Sequence, residues 1–343
     1  MGTPITLFTG QWGNRTFLEL IQLAKKIGLN GLELACWGSP DAHFDVHKAL
    51  NDKDYVVNIV RTLRDHELDV WAIGAHLVSQ CVCDKYIDER HQGILPEHVY
   101  GDGNPEGVRQ RAAEEMIITV KAASKLADVV GHPITVNIFT GSSIWHMFYA
   151  FPPLPPDAIE NGYKDFATRW LPILDACKQC GNVRLALEVH PGEIAFDTLS
   201  AKKALQAVGN HPCFWFNYDP SHLDWQGVDY IGFIYELGDR IAHVHMKDVW
   251  VRETPGPCSI LGGHLDFGDY HRAWDFKSIG FGGIKFMEVI TALKTIGYPG
   301  PWSIEWEHQG MDPEWGVIDS YNRLTEMDYA TSTQKFDETF ERK

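Results

Sequence analysis

Short, mostly apolar runs alternate along this 343-residue chain with longer stretches in which apolar residues recur at helical spacing. The runs fall at 5–10, 31–36, 69–76, 133–141, 185–190, 214–219, 241–245 and 302–308, and Gly, Pro or charged residues bound them. Runs without strict alternation are the pattern of strands buried on both faces. Phe17, Leu20, Ile21, Ala24 and Ile27 mark a helix over 15–27, stopped by Gly28. Leu50, Val56, Val60 and Leu63 predict one continuous helix over 46–66, and further helices are expected at 106–130, 163–180, 284–296 and 313–327. The stretch from 184 to 248 reads strand, turn, helix twice over before its third strand. Eight strand–helix units predict an α/β fold, a single (β/α)₈ TIM barrel over residues 1–331, with a polar tail at 332–343.

Three stretches are too long for ordinary connections: 77–105, rich in His and Asp; 142–156, with Trp145, His146, Phe148, Tyr149 and Phe151; and 249–283, rich in Gly and aromatics. All three follow strands, which places them as long loops on the C-terminal face, where barrel enzymes build their sites. Their aromatic content predicts a substrate larger than a simple hexose, enclosed either by these loops or with the help of a partner subunit.

Composition narrows the function. With 44% hydrophobic residues the chain can bury a large core, and a formal net charge of -16 argues against nucleic acid and against an anionic membrane surface. No stretch approaches the roughly 20 apolar residues of a membrane span. Seven scattered cysteines and the lack of a signal-peptide pattern point to a cytoplasmic protein. Cys177 and Cys180 form a C-x-x-C with no second pair, a weak signal for zinc or redox chemistry.

The chemistry concentrates at the ends of the last four strands. Glu188, Asp219, His245 and Glu305 stand there in turn, and a carboxylate or imidazole at the tail of a buried strand is costly unless paired or bound to a metal. Three carboxylates and one imidazole suit a single divalent ion, Mn²⁺ ahead of Mg²⁺ or Co²⁺, with Zn²⁺ also compatible. His76 ends the third run, His190 points to the same side as Glu188, and Lys247 follows His245 by two places. All three are candidates to bind substrate, with Lys247 equally able to pair with Asp248. His146 is a candidate acid/base or substrate-binding group, and Glu33 a weaker site candidate. Trp12, Trp37, Trp145 and Trp306 offer flat faces to a sugar or aglycone, or pack in the core.

The segments E-V-H-P-G-E, D-P-S-H, H-V-H-M-K-D and S-I-E-W-E resemble the xylose-isomerase-like sugar isomerase and epimerase superfamily, in order and spacing and over nearly the whole barrel. The resemblance implies that Glu188, Asp219, His245 and Glu305 hold the metal. It further implies that Glu188 and Glu305 exchange a proton on opposite sides of a substrate carbon next to a carbonyl, and that His222 contacts substrate. The chain departs from ketohexose epimerases where they carry a further Glu: Ile194 stands there, with Glu193 one place earlier. T-G-Q-W, F-T-G-S-S-I-W-H and W-E-x-x-G-M-D also resemble a branch near the α subunits of C-glycoside deglycosidases, which act on 3-oxo-glycosides and pair with a small β subunit. The expected activity is therefore an isomerase or epimerase acting on a sugar or oxo-sugar. β-Elimination is the alternative, and a non-catalytic binding subunit the reading from another class. A homo-oligomer, or a hetero-oligomer with such a β subunit, is expected.

Overall fold

The computed structural model describes residues 2–37, 43–262 and 264–333. Its strands are β1 Ile5–Phe8, β2 Gly31–Ala35, β3 Asp69–Gly74, β4 Ile134–Ile138 and β5 Val183–Glu188. They continue with β6 Phe214–Tyr218, β7 Ile241–Met246, β8 Asp248–Val251, β9 Trp274–Lys277 and β10 Trp302–Ile304. Eight of these close into a parallel barrel in the order β1-β10-β7-β6-β5-β4-β3-β2, the (β/α)₈ architecture expected from the alternation. Nearly every barrel-strand residue is buried, because helices cover the outer face while side chains fill the inner one.

The helices follow from local chemistry. Helix Phe17–Ile27 begins at Thr16, whose hydroxyl accepts from Glu19 N while the Glu19 carboxylate accepts from Thr16 N. Such a cap stabilises by about 1 kcal/mol. The helix ends at Gly28, whose φ of 96° suits a residue without a Cβ. Leu20, Ile21, Leu23 and Ala24 face the barrel.

Several expectations need correction. The helix expected over 46–66 is two, Val46–Asn51 and Tyr55–Asp65, because Asp52 turns back to accept from Asp54 N instead of continuing the helix. The third strand stops at Gly74, and His76 opens helix His76–Gln80. The insertion expected as a polar loop over 77–105 carries two more short helices, Glu89–Gln92 and Glu97–Tyr100. The fourth long helix starts earlier, at Ala158–Cys180. In the 249–283 insertion, β8 and β9 pair antiparallel, a hairpin that aromatic- and Gly-rich composition did not reveal. The Asp248 carboxylate fastens the chain returning from that hairpin, accepting from the backbone N–H of Gly280, Gly282 and Ile284 at 2.8, 2.9 and 3.0 Å. A Cβ at Gly282 would meet Asp248 Oδ1 at 2.3 Å, so only glycine permits this approach.

All seven cysteines are free, and Cys177 Sγ packs 3.2 Å from Val183 O. Among the described residues no helix is long and apolar enough to cross a membrane. Of the tail expected at 332–343, residues 334–343 lie outside the described residues.

Candidate metal centre

Parallel closure aims the C-terminal ends of β5, β6, β7 and β10 at one rim. Glu188 is the last residue of β5; Asp219 follows β6 and caps helix Pro220–Asp224; His245 is on β7; Glu305 follows β10. One ligand atom from each lies within 4.8 Å of every other, and all four residues are buried. His245 sits between layers. Its Nδ1 is 3.2 Å from Glu188 Oε2 and 3.0 Å from Glu305 Oε2, while its Nε2 is 3.1 Å from Glu33 Oε2. Phe8 stacks on the same ring at 5.2 Å.

Beneath this rim Glu33 organises a second polar layer. It accepts from Asn137 Nδ2 at 2.7 Å and Ser303 Oγ at 2.7 Å, and lies 2.8 Å from His243 Nε2. Burial raises the Glu33 pKa, but His245 and His243 outweigh it and hold the carboxyl well below its usual range. The same balance acts on His245: burial opposes its charge, yet Glu33, Glu305 and Glu188 keep it protonated well above its ordinary pKa. A carboxylate behind a ligand imidazole fixes which nitrogen faces a metal.

Burial likewise raises Glu188, and the His245 charge with hydrogen bonds from His222, His245 and His76 brings it well below its usual range. Glu305, raised by burial, is lowered further by Lys247 and His245. Asp219 behaves differently. Burial pushes it up to about 7 against the pull of Lys247, with Glu188 and Glu305 adding to the rise. Its Oδ2 lies 3.1 Å from Lys247 Nζ but in no acceptable hydrogen-bond geometry. A buried, unsatisfied carboxylate oxygen in a cluster with two other carboxylates and an imidazole is what a cation would complete. The donor set, this orphaned oxygen and four buried carboxylates against Lys247 and His245 all fit a divalent ion.

Above the centre opens a cavity of about 720 Å³, within the roughly 300–1,000 Å³ typical of small-molecule sites. His76, His190, His222 and Lys247 line it together with Glu188 and Glu305. His222 Nε2 is 3.1 Å from Glu188 Oε1, and burial with the nearby Lys247 lowers its pKa to about 3, so the ring is neutral. His76 Nε2 approaches Glu188 Oε2 to 3.1 Å, but neither ring nitrogen finds a well-directed hydrogen bond. Lys247 turns from Asp248 toward Glu305 Oε2 at 2.7 Å.

Of the remaining sequence candidates, Trp37 and Trp306 line the cavity and three do not. Trp12, Trp145 and His146 are absent from the cavity lining. Trp12 is buried against Trp306, Trp145 stacks on Phe148, and the His146 ring meets Tyr86 edge-on. Phe148, Tyr149 and Phe151, expected to wall the substrate, are exposed and also outside the lining. The apolar wall comes from Phe8, Trp37, Leu77, Phe139, Phe267, Phe276 and Trp306 instead. Sequence reasoning missed Gln11, whose Nε2 donates to Glu305 Oε1 at 2.9 Å, and Glu307, 3.4 Å from Lys247 Nζ. Glu307 was findable: it lies two places after Glu305 and so shares its side of the chain.

Fold and site together define a (β/α)₈ barrel with a carboxylate-rich candidate metal centre at its C-terminal rim. The chain belongs to the xylose isomerase-like TIM barrel family, whose model matches residues 21–327. It is 25% identical over 328 residues to the uncharacterized protein YfiH of Bacillus subtilis (strain 168), covering 93% of this chain and 97% of that one. Its fold is similar to that of the probable 3-DHS dehydratase AsbF of Bacillus anthracis, with a TM-score of 0.63, 17% identity and coverage of 94% and 98% of the two chains. A 3-keto-D-glucoside 4-epimerase, YcjR, from E. coli has a TM-score of 0.60 at 15% identity, covering 94% and 99%. An L-ribulose 3-epimerase has a TM-score of 0.61 at 16% identity, covering 95% and 94%.

Proposed function

We propose that this protein is a metal-dependent isomerase or epimerase that removes and returns a proton next to a carbonyl of a sugar or oxo-sugar. The observation carrying this reading is the placement of Glu188 on β5 and Glu305 at the end of β10, with β6 and β7 between them, both facing the cavity. Glu188, Asp219, His245 and Glu305 would hold a divalent ion, Mn²⁺ being the favoured metal, and that ion would supply Lewis-acid polarisation of the carbonyl.

The chain's own groups do the rest. Glu188, kept ionised by its imidazole neighbours, takes the proton from one face. Glu305, steadied by Lys247 and Gln11, exchanges a proton on the other. His76, with both ring nitrogens short of partners, and neutral His222 present polar atoms to substrate hydroxyls. His190 and Lys247 complete the polar rim, and the aromatic wall excludes water.

The cavity's volume and its seven apolar wall residues favour an oxo-sugar carrying a further group over a free hexose. The likeness to a 3-keto-D-glucoside 4-epimerase supports the same substrate class. Such a substrate also admits the second reading, β-elimination of that group after the same proton abstraction. The test incubates metal-loaded protein with ketoses and aryl 3-oxo-glycosides in D₂O and follows deuterium uptake by NMR. Uptake at the carbon beside the carbonyl is expected, and product analysis separates epimer from eliminated aglycone. Uptake undiminished in a variant lacking both Glu188 and Glu305 carboxylates would move the base elsewhere.

A further inference from the structure

Outside the barrel, three helices bring two imidazoles and a carboxylate to one point. His47 lies on Val46–Asn51 after β2, His98 on Glu97–Tyr100 in the insertion after β3, and Glu115 on the long helix Pro105–Val130. His47 Nε2 is 2.8 Å from Glu115 Oε1, and His98 Nε2 is 3.1 Å from Glu115 Oε2. One ligand atom from each of the three lies within 4.8 Å of the others. Cations bound at ~2.0–2.1 Å in a tetrahedral site have ligand–ligand edges of roughly 3.3 Å, close to both measured separations.

The environment is polarised. The Glu115 side chain is 5% exposed, whereas His47 and His98 are 44% and 55% exposed. A carboxylate that deep in a helix needs a compensating charge. Among the described residues its ion-pair partners are these two imidazoles. Both turn Nε2 toward the same carboxylate and leave one side open to solvent.

We propose that His47, His98 and Glu115 form a second divalent-metal site, independent of the barrel centre. Two imidazole nitrogens and one carboxylate select Zn²⁺ or a similar cation over Mg²⁺ or Ca²⁺, with water in the open position. The ion clamps the far end of the 76–104 segment onto the long helix, beside Arg111, whose guanidinium donates to Val99 O at 2.8 Å and Tyr100 O at 2.7 Å. That segment begins with His76 and Leu77, both in the cavity wall, so the clamp anchors part of the substrate pocket from outside.

The alternative is a metal-free pair of imidazoles on Glu115, and metal counting separates the two. Full-length protein is stripped with chelator, reloaded with Zn²⁺, freed of excess and assayed by mass spectrometry for metal per chain. Asp219→Asn, which keeps the cap on helix Pro220–Asp224, removes the barrel centre from the count; it should retain one equivalent. Asp219→Asn with His98→Ala should retain none. Co²⁺ in the Asp219→Asn chain should give tetrahedral visible bands that vanish with His98→Ala, and Zn²⁺ should raise the thermal midpoint of the first variant only. The half-exposed His98 ring makes its removal compatible with folding, checked by far-UV circular dichroism, and His98→Gln is the conservative second variant. Equal zinc content with and without His98, or none in Asp219→Asn, overturns the second site. If Asp219→Asn instead matches the wild type, the barrel-centre reading fails and the second site stands or falls on His98 alone.

Discussion

The two halves of the barrel contribute differently to the same cavity. The ends of barrel strands β5, β6, β7 and β10 each deliver a charged group to the rim: Glu188, Asp219, His245, then Glu305. From β1 through β4 the strand ends deliver apolar surface, with Phe8 and Phe139 facing the cavity. Of the polar groups of that half, Glu33 and Asn137 sit a layer lower and act on His245 from behind, while Gln11 and His76 reach the rim beside Glu305 and Glu188. One half thus supplies the candidate reactive groups, and the other sets their orientation and desolvates them. Desolvation matters because burial strengthens each charge interaction at the rim while raising the cost of any group left unpaired.

The largest effects are expected where the reactive half is cut. Glu188→Gln or Glu305→Gln should lower kcat roughly 100- to 10,000-fold with little change in KM, since a proton-transferring group acts in the transition state. A variant that lost only substrate affinity would place that carboxylate in binding. Cutting the supporting half should do less. Glu33→Gln keeps shape and hydrogen-bonding capacity but removes the charge behind His245, so metal affinity should fall about 10- to 100-fold. Calorimetric titration with Mn²⁺ measures this, and wild-type affinity would show that the halves are uncoupled.

The contrast was only half visible in the sequence. Strands ending in charged residues announce themselves, because a carboxylate or imidazole after an apolar run is anomalous, so Glu188, Asp219, His245 and Glu305 were legible with the barrel. Glu33 was noticed only as a strand-end acid. Its importance depends on strand β2 lying across the barrel from β7, which no local pattern states. Loop residues were least legible. Aromatics at 145–151 and at 267–276 look alike in sequence, yet only the second group returns over the cavity, carried by a β8–β9 hairpin that long-range pairing creates. Glu193 was weighed only as a displaced epimerase residue. In the structure it is buried and accepts from Thr140 N at 2.5 Å and Gly141 N at 2.6 Å, tying the β4 and β5 loops together.

That tie joins the two halves and predicts a pH dependence. Burial pushes the Glu193 pKa from 4.5 up to about 8; Asp84 adds to the rise, and the bonds from Thr140 and Gly141 oppose it. Asp84 is itself paired with His91 at 3.0 Å and accepts from Ser142 N at 3.1 Å. Because the folded state holds this proton more tightly than the unfolded chain, the contribution is fully present below pH 4.5 and is lost as pH rises toward about 8. Glu193→Gln mimics the protonated acid. It should leave the thermal midpoint nearly unchanged at the acid end and flatten its decline across that window. A parallel decline in both proteins would assign the proton to another group.

The smallest effect tests the division between the aromatic insertions. Tyr149 and Phe151 are 69% and 72% exposed and lie outside the cavity lining, while Phe276 is buried, packs edge-on against His222 at 5.1 Å and lies under the Lys247 ammonium at 4.6 Å. Phe276→Ala removes a wall of the reactive half and one ring face from a buried cation, a contact worth about 0.5–2 kcal/mol. Turnover of an aryl 3-oxo-glycoside should then weaken several-fold, with KM carrying most of the change. Tyr149→Ala and Phe151→Ala remove exposed area that touches neither the cavity nor the candidate metal centre, so kinetics and thermal midpoint should stay within error of the wild type. A several-fold loss in either of these would mean that the 142–156 insertion closes over bound substrate, and the apolar half would then extend past the residues that line the cavity now.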